Sequence, residues 1–266
     1  AGHLKGDPQF FASYFADVEK DPVKPVIWAV VILVITHLII IRGVKEGIEK
    51  ASKALMPALF VILIILVVSA CMLPNAWEGI EFLFKPDFSK VSKDLFLGAL
   101  GQAFFSLSIG MGCLCTFASY FTKDTDLTNS AVQISVIDTV VAILAGLLIF
   151  PAAFSIGVSP DSGPSLIFIT LPNVFEQAFS SVPIIGYIVA ISFYILLSLA
   201  ALTSLISLHE VSTAFFHEEM NINRKTAATI VTVICSVIAA LCSLSLSDWN
   251  AISIGGKPLF DILDYL

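Results

Sequence analysis

Apolar residues fill six long stretches of the chain, 26–41, 54–73, 95–121, 127–158, 184–216 and 226–246. A membrane-spanning helix takes about 20 apolar residues, whereas a helix in water needs only one apolar stripe. The pattern therefore predicts six spanning helices, the first slightly short. Pro25 precedes the first, and Pro57 falls in the first turn of the second, where a missing N–H costs little. Short polar connectors are expected at 42–53, 122–126 and 217–225, and long ones at 74–94 and 159–183. The stretch Gly163-Pro164-Ser165-Leu166-Ile167-Phe168-Ile169-Thr170-Leu171-Pro172 is too apolar for a solvated linker. It predicts a re-entrant or capping hairpin packed on the bundle, because backbone at that depth has to be covered by protein.

Composition agrees with this reading. Hydrophobic residues make up 57% and charged residues 13%, against about 25% charged in soluble domains. The net charge of −7 comes without a basic stripe, which excludes a nucleic-acid partner. Five cysteines in or near apolar runs form no C-x-x-C pair and read as reduced packing residues; the four histidines form no ligand cluster. Lysine and arginine divide seven and seven between the two sides of the predicted bundle, but they are denser in the short connectors. Positive-inside counting therefore leans towards a cytoplasmic position for those connectors. The chain opens on Ala1-Gly2-His3 without an initiator Met or signal peptide, and stops at Asp264-Tyr265-Leu266 in what reads as a helix start. Both ends are expected to be cut from a longer protein.

Three features carry candidate chemistry. The third stretch contains Ser106-Leu107-Ser108-Ile109-Gly110-Met111-Gly112 near its middle. Glycine costs about 1 kcal/mol in a helix interior, and hydroxyls beside it can bond the backbone, so a helix break is expected here. Exposed backbone at a break can bind a cation or the ends of a zwitterion; a close helix–helix contact through small residues is the alternative. Asp138 lies within the fourth stretch, where insertion of an Asp costs about 2.5–3.5 kcal/mol. Cation ligation or proton relay is the sharp reading, and a wet crevice near a helix end the plain one. In the fifth stretch Thr203 and Ser204 follow Ala200 by three and four residues, so two hydroxyls share a face with its carbonyl. That set suits a monovalent cation, or else each hydroxyl bonds its own helix. Glu210 is a further intramembrane acid, and His209 beside it points elsewhere and has no assigned role.

These residues resemble the neurotransmitter:sodium symporters, most closely prokaryotic members similar to the bacterial leucine and tryptophan transporters. The resemblance rests on Arg42-Gly43-Val44-Lys45-Glu46-Gly47-Ile48-Glu49-Lys50, Gly101-Gln102-Ala103-Phe104-Phe105 running into the break, Phe168-Ile169-Thr170-Leu171-Pro172, and Ala200-Ala201-Leu202-Thr203-Ser204. They occur in family order over essentially the whole chain. The resemblance implies an all-α polytopic membrane protein, part of a two-times-five inverted-repeat fold with a discontinuous helix, and that fold is a type example of midplane sites at broken helices. The six stretches would be the fourth to ninth helices of a single transmembrane domain. On that scheme 1–25 ends an extracellular loop, 26–73 closes the first repeat, and 95–266 holds most of the second.

The same resemblance implies sodium-coupled symport of a small hydrophobic or aromatic amino acid by alternating access, in the cytoplasmic (inner) membrane. Two sodium sites are implied. Ser106 and Asp138 match the first, and the Ala200 carbonyl, Thr203 and Ser204 the second. Phe105 matches an aromatic lid over the substrate, with Ser106, Ser108, Gly110, Met111, Ser204 and Leu208 lining the pocket. Asp264 matches an outer-gate acid; Tyr120 and Glu218 match inner-gate positions. Phe117 stands where a Tyr is frequent, so one inner-gate hydrogen bond is expected to be missing. Asp138 stands where Asn is commoner, and Ala142 where animal members have a chloride-binding Ser alongside positions matching Gln102 and Ser106. A fixed carboxylate supplies the charge that chloride otherwise brings, so chloride is not expected to be required. The partners implied are the amino acid and the bilayer, and nothing sets an oligomeric state. An aspartyl intramembrane protease needs two embedded aspartates, and only Asp138 qualifies. A non-transporting ligand sensor and a different secondary transporter of the same fold stay open.

Overall fold

The computed structural model describes residues 8–155, 167–168, 171–172, 175, 183–247, 253–254 and 257–265, without the side chains of 8–12, 90, 183, 253–257 and 264–265. Within 1–25, expected as a loop end, Pro8–Lys20 is a helix, α1. The chain then bends by 75° into α2, Lys24–Ile40. Asp21 starts that helix. Its Oδ1 accepts the N–H groups of Val23 at 2.9 Å and Lys24 at 3.1 Å, and Pro25 fits the first turn without losing a bond. These bonds hold the Asp21 carboxyl down at about 2.

The connector expected at 42–53 is helical instead. Gly43 turns with φ +86°, Val44–Glu49 forms a π-helical turn, and α3 runs over Lys50–Cys71. The charges that read as a loop include an i,i+4 pair, with Lys53 Nζ 2.6 Å from Glu49, which supports the helix. Gly47 is required sterically: a Cβ there would lie 2.0 Å from the Ile39 carbonyl oxygen.

The 74–94 loop also contains a helix, α4 over Ala76–Phe84. Ala76 and Gly79 are buried and Ile80 and Leu83 half-buried, one face at i, i+3, i+4, i+7. That face lies on α7, Leu127–Ser155. A Cβ on Gly79 would fall 2.5 Å from the Phe150–Pro151 backbone, and the Phe82 ring lies tilted against those of Phe150 and Phe154. Between α4 and α7 the third predicted stretch forms α5, Lys93–Ser106, and α6, Cys113–Ser119. Helix α8 spans Pro183–Glu218 and α9 Arg224–Leu246, its start capped by Asn223. A short antiparallel pair, β1 (Ser253–Ile254) with β2 (Lys257–Pro258), leads into α10, Leu259–Tyr265. The hairpin expected at 159–183 lies almost wholly outside the described residues.

Four described helical stretches are long and apolar enough to cross a membrane: Val44–Cys71, Leu127–Ser155, Ile184–Glu218 and Arg224–Leu246. The first predicted span, α2, has 17 residues, and the third is divided between α5 and α6. The chain forms two compact units, Pro57–Ser198, and Asp7–Met56 with Leu199–Leu266. In the first, Leu63, Leu66 and Val67 of α3, Leu148 and Ala152 of α7, and Val189 and Phe193 of α8 share one core. Lipid tails are as apolar as Leu, so in a bilayer close packing holds this core more than exclusion of water. In the second unit α2 and α9 pack together. Ala227, Ala228, Val231 and Thr232 present a buried face of small residues on α9, which lets the backbones approach.

Candidate ion and substrate site

Helix α5 ends where the glycines and serines predict. The Ile109 N–H bonds the Phe104 carbonyl at 2.9 Å and the Ser108 N–H that of Phe105 at 3.1 Å, the paired bonds of a Schellman turn. The left-handed position of such a turn usually holds Gly; here Ser108 occupies it with φ +54°. Gly110 (φ +88°) and Gly112 (φ +80°) carry the chain through two more left-handed residues. Gly112 then caps α6, its carbonyl accepting from the Thr116 N–H at 2.9 Å. A non-glycine at positive φ costs about 1–2 kcal/mol, so the break holds some strain at Ser108. None of the residues of α5 is buried.

Asp138 of α7 meets the last residue of α5. The Ser106 hydroxyl lies 2.8 Å from Asp138 Oδ1 and 2.9 Å from Oδ2, so one hydrogen is shared between both carboxylate oxygens. Donating leaves the hydroxyl lone pairs free to coordinate a cation. The first unit thus brings together the two residues matched to one ion site. Phe105 (67% exposed) and Met111 (39%) stand open beside the break, with Ser108 half-buried and Gly110 exposed.

In the second unit Thr203 Oγ1 donates to the Ala200 carbonyl oxygen at 2.8 Å, the bond of a hydroxyl to its own helix that was the alternative to a cation-binding face. Ser204 and Leu208 are exposed on the same helix. Of the gate positions, Tyr120 caps α6 with its ring edge-on to Phe117 at 6.4 Å. Glu218 is exposed at the end of α8, and Asp264 lies in α10 with its side chain outside the described set. Among the described residues, no three His, Cys, Asp or Glu side chains gather to hold a metal. One carboxylate with neutral oxygens suits a monovalent cation better than a divalent one, which collects several acids.

Sequence reasoning missed a second polar cluster. Glu210 is fully buried, with Oε2 2.6 Å from Arg224 Nη2. Arg224 Nε also donates to the Ile40 carbonyl at 3.2 Å. His209, also buried, places Nδ1 3.0 Å from Thr213 Oγ1 and Nε2 2.9 Å from Thr232 Oγ1. Thr232 in turn lies 3.0 Å from His37 Nδ1. The only sequence signal was two adjacent polar residues, His209 and Glu210, inside an apolar run.

The profile of the Sodium:neurotransmitter symporter family matches residues 9–266. A sodium-dependent transporter of Haemophilus influenzae is 37% identical over 254 residues, 95% of this chain and 54% of its own. One of Bacillus subtilis is 37% identical over 267 residues, the whole of this chain and 58% of its own. The chain therefore spans little more than half the length of these relatives. The crystal structure of MhsT in complex with L-phenylalanine superposes with a TM-score of 0.84 at 40% identity, covering 98% of this chain and 59% of MhsT. This confirms the all-α, discontinuous-helix membrane fold, and the chain belongs to the sodium:neurotransmitter symporter family.

Proposed function

We propose that the protein containing this chain couples sodium entry to uptake of a small hydrophobic or aromatic amino acid by alternating access across the cytoplasmic membrane. The observation that carries this is the Ser106–Asp138 contact at the break between α5 and α6. An ionised carboxylate on a spanning helix is costly. A bound sodium neutralises it, and the exposed backbone beside it offers partners for the amine and carboxylate of the substrate. Asp138 and Ser106 serve one sodium, and the Ala200 carbonyl, Thr203 and Ser204 a second. Phe105, Ser108, Gly110 and Met111 contact the substrate, whose side chain meets mostly apolar groups. Phenylalanine bound to MhsT supports an aromatic substrate. Tyr120, Glu218 and Asp264 act in gating.

The test is uptake of labelled phenylalanine and leucine by the full-length protein in proteoliposomes. Uptake is expected with an inward sodium gradient and not with potassium, and to persist when gluconate replaces chloride. Asp138→Ala is expected to lower it at least a hundredfold. Equal uptake in potassium overturns sodium coupling. Sodium-dependent binding without uptake or exchange makes the protein a sensor. A strong loss on chloride removal overturns the role of Asp138 as the fixed charge.

A further inference from the structure

We infer that Arg224 and Thr232 are positioning residues that set the rotation of α8, and with it the cation-binding face of Ala200, Thr203 and Ser204. The inference rests on reading that face as a sodium site. Residues seven apart on a helix lie within about 20° of one another, roughly 10 Å along the axis. Glu210 is seven residues after Thr203, so the buried carboxylate continues the face that carries the hydroxyl.

Two attachments hold that end of α8. The first is Arg224. It sits at the first residue of α9, where the helix dipole disfavours a cation. Its stabilisation comes from elsewhere, from Glu210 at 2.6 Å and from the Ile40 carbonyl at the C-terminus of α2, where a cation is favoured. One guanidinium thus joins three helices through its fork, a geometry that an ammonium cannot reproduce.

The second attachment is Thr232. Its hydroxyl has one proton, and the Ala228 carbonyl lies 2.8 Å away to accept it. The two lone pairs then accept from the imidazoles at 2.9 and 3.0 Å. This places a proton on His209 Nε2 and on His37 Nδ1, with His209 Nδ1 bonded to the Thr213 hydroxyl. His209 and Glu210 leave α8 about 100° apart, so the two attachments oppose rotation in different directions. A 20° turn of α8 would move side-chain tips by about 2 Å, beyond the tolerance of a hydrogen bond.

The experiment is substrate binding against sodium concentration for the full-length protein. The variants are Arg224→Lys, Thr232→Val, Thr232→Ser and Thr203→Ala. Arg224→Lys and Thr232→Val are expected to raise the half-saturating sodium at least tenfold, with substrate affinity at saturating sodium within twofold of wild type. Thr232→Ser, which keeps the hydroxyl, is expected to restore the wild-type sodium dependence. Unchanged sodium dependence in Arg224→Lys and Thr232→Val, with Thr203→Ala shifted, overturns the inference alone. Unchanged dependence in Thr203→Ala overturns the sodium site beneath it. If Arg224→Lys does not fold, the Thr232→Val and Thr232→Ser pair decides. Loss of substrate binding at saturating sodium in Thr232→Val alone means a purely structural role, which also overturns it.

Discussion

Two helix C-termini in this chain are finished in opposite ways. Helix α2 ends in the second unit at Ile40, which is fully buried, with the Arg224 guanidinium on its carbonyl and Gly47 pressed against the carbonyl before it. Helix α5 ends in the first unit at Ser106, in a turn whose residues are exposed or half-buried and whose hydroxyl faces a carboxylate. Both ends carry the negative pole of a helix dipole. At α2 the protein supplies its own cation and closes the end. At α5 it supplies a carboxylate, which adds negative charge to a negative pole, and leaves space around it. The α2 end meets its dipole within the chain, whereas on the function proposed above the α5 end would meet it with a bound cation.

The sharpest way to break this comparison is at the closed end. Gly47→Ala puts a methyl where the Ile39 carbonyl oxygen stands, 2.0 Å from the ideal Cβ, and backbone rather than a flexible side chain has to move. Overpacking costs about 1–3 kcal/mol and occasionally more, and a backbone contact this short belongs at the upper end. The thermal midpoint of the purified full-length protein is expected to fall further than for any other single change discussed. A midpoint within a degree of wild type would mean that the α2 end is not closed by this contact.

The open end was legible in the residues, and the closed end was not. Gly110, Gly112 and two serines in an apolar run mark a break by their own conformational preferences, which act locally. Asp138 is visible because a charge in a span has to be explained; its pairing with Ser106 came from family resemblance, since the two are 32 residues apart. Arg224 meets Ile40 across 184 residues, and no periodicity encodes such a contact. Its charge read as part of a cytoplasmic connector. Residues 42–53 misled for the same reason, because their helical turn depends on Gly47 approaching α2. Helix α4 is different. Ala76, Gly79, Ile80 and Leu83 keep helical spacing, and the signal was overlooked because nine residues fall below the length of a span.

A smaller effect is expected at the open end. A Cβ on Gly110 meets nothing within 4 Å, so Gly110→Ala adds no clash. The whole cost is the left-handed backbone at φ +88°, about 1–2 kcal/mol. The thermal midpoint should fall by less than for Gly47→Ala, while sodium-dependent substrate binding falls more steeply than stability does. Equal losses in both variants, or a stability loss without a binding loss in Gly110→Ala, would erase the distinction between an end built for a ligand and one built for packing.

The smallest effect is expected at the other end of α2, where the positive pole is met by a carboxylate in water. Asp21 accepts from Val23 and Lys24 N–H groups and lies 3.0 Å from Lys24 Nζ. These bonds, the Val23 N–H first, lower its carboxyl from 3.8 to about 2. A group with a depressed native pKa contributes stability that is fully present above its unfolded value and is lost as pH falls through the native one. The difference in midpoint between wild type and Asp21→Ala should therefore be constant above about pH 5 and be lost progressively down to about pH 1. Because the Lys24 ammonium is exposed, salt screening should reduce the part due to Lys24 and leave the part due to the two N–H groups. A difference that instead persisted unchanged to pH 1 would mean that the ionised Asp21 carboxylate does not hold this end of α2.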